Sequence, residues 1–136
     1  MLPWAAGATG ALVVIGPGLN GRPWINLDQS VLDHLPLPTV LLGVGPDVPR
    51  RGAFTALAAL ASPWGGSAWV MKLLVVVMLA AATAGMARRL RSVGALPALG
   101  AGLLYAFGPF LMGRLAVGHL GVLWAAAIIP WALPAL

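Results

Sequence analysis

With 136 residues, 60% of them hydrophobic and only 8% charged, this chain lacks the polar groups to cover a water-facing surface. A soluble domain carries about 25% charged residues, so lipid is the expected solvent. The net charge of +5, from seven arginines and one lysine set between apolar runs, speaks for membrane topology and lipid contact and against nucleic acid, and the lack of cysteine excludes disulfides and thiolate metal sites.

The expected fold is all-α: a single polytopic transmembrane domain over residues 1–136, with about four transmembrane helices and a long outer loop. The first span is residues 4–19, short for the roughly 20 residues that cross a bilayer. No Lys or Arg precedes it, so it lacks the charged start of a signal peptide; it is a short tilted span, or the true N-terminus lies upstream. Residues 20–66 form the polar connection, broken by Pro36, Pro38, Gly43, Gly45 and Pro46. Inside it, residues 53–61 read as a short apolar helix lying in the interface, stopped by Pro63-Trp64-Gly65-Gly66.

Residues 67–87 are the clearest span, and Arg88, Arg89 and Arg91 follow at once. The positive-inside rule puts that cluster in the cytoplasm. Alternation then makes the N-terminus cytoplasmic and residues 20–66 external, with spans at 95–110 and 121–136 joined by an outer connection at 111–120. Arg22, Arg50 and Arg51 pull the other way by count, but the denser cluster directly beside a span decides. Trp24, Trp64, Trp69 and Trp124 then form an outer aromatic belt. The last segment carries Pro130 and Pro134 and stops with no polar flank, so the chain is expected to be an N-terminal fragment of a larger protein. Abundant alanine and the preference for arginine over lysine suit a bacterial plasma-membrane protein from a GC-rich genome.

Chemistry has few places to reside. There is no glutamate, and all three carboxylates, Asp28, Asp33 and Asp47, fall in the outer loop. Ionisable groups at a membrane edge are costly and are therefore functional candidates. Asp28 could deprotonate a hydroxyl or hold a divalent cation, Mg or Mn. Its plain reading is a loop residue that caps a short helix from Gln29. Asp33 and His34 follow five and six residues on; on a helix Asp28 and Asp33 would stand roughly 140° apart, so a joint site needs a loop. Asp47, after Gly45-Pro46, suits a turn. Arg50 and Arg51 suit a lipid headgroup, gripped bidentately or attracted without specificity. Lys72 either snorkels to the outer interface or serves as a counter-charge for a phosphate in a cavity. Arg114 and His119 cross the second outer connection and would face the same aqueous side as Asp28, an arginine for phosphate and a histidine for a proton. No Walker loop, dinucleotide glycine fingerprint, serine elbow or zinc-helix motif appears.

An N-terminal span, an outer loop with an early Asp, an interfacial helix and an Arg-bearing hairpin together resemble the GT-C integral-membrane glycosyltransferases. The strip Gly108-Pro109-Phe110-Leu111-Met112-Gly113-Arg114-Leu115-Ala116-Val117-Gly118-His119, with Leu123-Trp124 and Ile129-Pro130-Trp131 beyond it, is similar to segments of large actinobacterial, arabinofuranosyltransferase-like membrane proteins. The resemblance implies a polyprenyl-phosphate sugar donor, a cell-envelope glycan acceptor, an outward-facing site and inversion at the sugar carbon. It makes Asp28 the catalytic base or metal-site carboxylate, and Arg114 and His119 donor-phosphate residues, with Asp33, His34 and Lys72 as further substrate contacts. Enzymes of this type have many more spans, so this chain alone would hold part of a site and be inactive by itself. The alternatives are a non-enzymatic subunit of a transporter or envelope complex, with further membrane subunits as partners, and a flippase-like lipid carrier.

Overall fold

The computed structural model describes residues 1–19, 24–26, 29–31, 60 and 66–133, with the backbone alone at 24–26, 29–31 and 67. Helix α1 runs Leu2–Ile15, with Pro3 in its first turn, where the missing N–H would have had no partner anyway. A single 3-10 turn, Gly16–Gly18, ends it short of residue 19. Strand β1, Trp24–Asn26, pairs antiparallel with β2, Gln29–Val31, placing Trp24 opposite Val31. Gln29 therefore opens a strand, not the short helix that Asp28 was expected to cap. The β-branched Ile25 and Val31 favour extended backbone, and this hairpin packs against α2. Of the expected interfacial helix at 53–61, only Leu60 is among the described residues; it is helical and exposed.

Helix α2, Ser67–Arg89, runs through the first two arginines of the cluster rather than stopping before them. Arginine is a good helix former, and cations are favoured where the last carbonyls leave a partial negative charge. The turn into α3 (Ala95–Phe107) is a 3-10 turn, Arg91–Val93, closed by Gly94 at φ 106° and ψ 156°, a region open only to glycine. Helix α4 spans Pro109–Val117 and α5 spans Leu120–Ala132. The span expected at 95–110 breaks at Gly108, and the connection expected at 111–120 is mostly helix: Pro109 starts a new helix, and only Gly118 and His119 separate α4 from α5. Two stretches, Ala68–Arg89 and Ala95–Val117, are long and apolar enough to cross a membrane.

Helix α2 is the centre of the bundle and packs on α1, α3 and α5. Its Ala80, Ala82, Thr83, Ala84 and Ala87 are all buried, so it is enclosed on several sides where its side chains are smallest. The neighbours match it with small residues four apart: Gly7 and Ala11 on α1, and Ala98, Gly102 and Ala106 on α3. A Cβ at Gly7 would stand 2.8 Å from Ala80 Cα, and one at Gly102 only 2.5 Å from the Thr83 carbonyl oxygen. Such backbone proximity is how helices associate where there is no water to drive them together. Thr83 hides its hydroxyl by donating to the Leu79 carbonyl at 2.9 Å.

Contact levels give the helix directions. The short turn makes α2 and α3 antiparallel, with Gly102 beside Thr83. Gly7 also lies beside Thr83 while Gly10 meets Phe107, so α1 rises alongside α3. On α5, Ala126 is level with Tyr105 and Trp131 lies lower, beside Ala81 and Gly85, so α5 descends with α2. The rods therefore alternate up, down, up and down. One end of the bundle holds the finish of α1, the start of α2 and the α4–α5 turn; the other holds Trp4, the three arginines and Trp131.

Candidate functional site

At the first of these ends the chain breaks and re-forms helix twice within a dozen residues. Gly108 is extended (φ −65°, ψ 158°) because the ring of Pro109 disfavours helical backbone in the residue before it. A Cβ at Gly108 would lie 2.6 Å from the Leu104 carbonyl oxygen, so the break needs glycine. Helix α4 then ends at Gly118 in the left-handed region, φ 90°. The Gly118 N–H donates to the Leu115 carbonyl at 3.0 Å and the His119 N–H donates to the Arg114 carbonyl at 2.8 Å. This pair of bonds is the Schellman motif, in which the third residue from the helix end meets the second residue past it.

Those two residues are Arg114 and His119. Their side chains meet at 3.2 Å, Arg114 Nη1 to His119 Nδ1. A guanidinium can only donate, so Nδ1 accepts and the ring proton sits on Nε2. The same guanidinium lies 5.2 Å from the centre of the Phe110 ring, one turn back on α4. The His119 carbonyl accepts from Val122 N–H at 3.0 Å and opens α5. Arg114 and His119 thus form one rigid unit, half-buried, aimed by a turn that glycine makes.

Lys72, in the second turn of α2, is at the same end but is only 2% exposed. The expectation that it snorkels to the interface is not met. It shares the buried stripe of Ala68, Met71 and Val75, so its stem is directed inward from the start. Its ammonium lies 4.9 Å from the centre of the Trp69 ring.

The other predicted site residues, Asp28, Asp33, His34, Arg50 and Arg51, lie outside the described residues, as does Asp47. Asp28 falls in sequence between the two strands of the hairpin that packs on α2. Among the described residues no three His, Cys, Asp or Glu side chains come together, so a Mg or Mn ion would depend on Asp28 and the segment around it.

The opposite end holds a cluster that sequence reasoning missed. Trp131 Nε1 donates to the Ala81 carbonyl at 3.0 Å, Trp4 lies 5.8 Å from the Trp131 ring, and Arg88 sits over that ring at 5.6 Å. One signal was available: Trp4 and Trp131 are the two tryptophans left out of the expected outer belt. No protein-family model, curated protein or solved structure matches this chain.

Proposed function

We propose that the chain is a membrane-embedded part of a GT-C-like glycosyltransferase that moves a sugar from a polyprenyl-phosphate carrier to a cell-envelope acceptor. The bilayer is supported by the outer surface. Leu73, Val77, Leu96, Leu104, Phe110, Ile128 and Ile129 are all exposed, while the core beneath them is also apolar. Helices apolar on every face belong in lipid. At about 1.5 Å per residue, α2 reaches about 34 Å, enough for a hydrocarbon core of about 30 Å.

The observation that carries the transferase reading is that Lys72 and the Arg114–His119 pair stand towards the same end of this apolar bundle. A departing lipid phosphate needs cations placed in advance where water is scarce, because charge stabilisation is strongest there. Arg114 presents a planar fork suited to phosphate oxygens, and Lys72 adds a second positive charge from α2. In this reading an acceptor hydroxyl attacks the anomeric carbon and its proton passes to the Asp28 carboxylate. The bond from that carbon to the phosphate oxygen breaks, and polyprenyl phosphate leaves with the electron pair. Asp33, His34 and His119 would line the donor's polar groups, and Arg50 and Arg51 would grip neighbouring headgroups.

The test is sugar transfer from a radiolabelled polyprenyl-phosphate sugar in membranes carrying the intact protein. Asp28→Asn is expected to abolish transfer, and Arg114→Gln to lower it by about 100-fold, typical of losing one charge-stabilising group, with unchanged protein levels. Undiminished transfer by both variants would overturn the catalytic reading in favour of a non-enzymatic subunit.

A further inference from the structure

The cluster at the opposite end has chemistry of its own. Arg88, Arg89 and Arg91 place three guanidinium groups within four positions where α2 ends. The last carbonyls of α2 hold positive charge there but supply less than one unit of opposing charge. The described residues carry no carboxylate side chain. Arg89 is the telling member. Its Nη1 is buried and has no hydrogen-bond partner. A guanidinium N–H removed from water without an acceptor is unfavourable, and an anionic oxygen would answer it.

We infer that Arg88, Arg89 and Arg91 form a binding seat for the phosphate of an anionic membrane lipid. This rests on the membrane reading above, not on the transferase reading. A phosphodiester matches the arginine fork and brings negative charge to it. A lipid fits better than a soluble phosphate because the seat is edged with exposed apolar side chains, Val93 and Leu96 after the turn and Trp4 on α1. Those would take the acyl chains. Trp4 and Trp131 beside Arg88 mark the depth at which tryptophans meet headgroups.

The test reconstitutes the full chain in vesicles of phosphatidylcholine and phosphatidylglycerol, extracts it in mild detergent and measures the ratio of the two lipids retained. Alkaline carbonate extraction of the same vesicles reads insertion separately. The wild type is expected to retain phosphatidylglycerol in excess, Arg89→Gln to lose that excess by about fivefold, and Ser92→Ala, in the same turn, to keep it. Arg89→Lys, which holds the charge without the fork, should fall between. The inference is overturned if the variant with all three arginines changed to glutamine stays inserted and retains the same ratio as the wild type. Displacement of the lipid by soluble glycerol phosphate would overturn the lipid as the ligand's source. Release of the wild type by carbonate would instead overturn the membrane reading beneath it.

Discussion

Pro130 shows how a single residue propagates through this bundle. It has no N–H, so the carbonyl four residues earlier, on Ala126, loses its helical donor. The Tyr105 hydroxyl replaces that donor from α3 at 3.0 Å. A freed carbonyl buried away from water must be satisfied by a neighbour, and one tyrosine does it. Tyr105→Phe is therefore expected to destabilise the bundle by about 1–3 kcal/mol, the cost of stranding a buried acceptor. Adding Pro130→Ala should recover much of the loss by restoring a backbone donor. Thermal unfolding of the four members of this double-mutant cycle in detergent would check it, and equal losses from Tyr105→Phe in both backgrounds would refute the link. The pairing was not legible in the sequence: proline announces a freed carbonyl at Ala126, but nothing local says which hydroxyl arrives. The Arg114–His119 pair is different. A glycine at 118 with an arginine four before it and a histidine one after is a local pattern, and its geometry follows from the helix cap alone.

At the scale of elements, glycines divide into those that permit contact and those that do not. On α3, Gly102 faces the Thr83 carbonyl while Gly100 has nothing near it. Gly102→Ala is expected to cost about 1–3 kcal/mol, because the obstructing atom is backbone and cannot turn aside. Gly100→Ala should instead stabilise by up to about 1 kcal/mol through helix propensity. Opposite signs in the same denaturation assay would support the packing; equal effects would mean that α3 does not seat on α2 in this register. Element existence was largely readable here. Apolar runs bounded by Pro, Gly and Arg marked the apolar helices, while the break at Gly108 was missed: the span expected at 95–110 runs through Pro109, which opens a new helix instead.

For the whole molecule, the alternating rods put Ser92, in the α2–α3 turn, and Ala116, in the last turn of α4, at opposite ends. The chain has no native cysteine, so Ser92→Cys and Ala116→Cys can each be made without removing a background thiol. In intact cells an impermeant thiol reagent is expected to label Ala116→Cys and to reach Ser92→Cys only after the membrane is opened. Equal labelling of both from outside would refute the crossing of α3–α4. The reverse pattern would keep the crossing and invert the orientation drawn from the arginine cluster.

Composition by itself pointed to apolar helices, and two of the helices are long and apolar enough to cross a membrane. The cap that joins Arg114 to His119 is also local, although its segment was expected as a connection and not as a helix. Tertiary structure alone decided that Lys72 points inward, that Trp131 reaches the Ala81 carbonyl beside Arg88, and that Arg89 buries a nitrogen without a partner. Each of these depends on which face of α2 its neighbours cover. A helix that is apolar on all sides carries no stripe to announce that face, so the choice is made only when small residues on α1 and α3 lock against it.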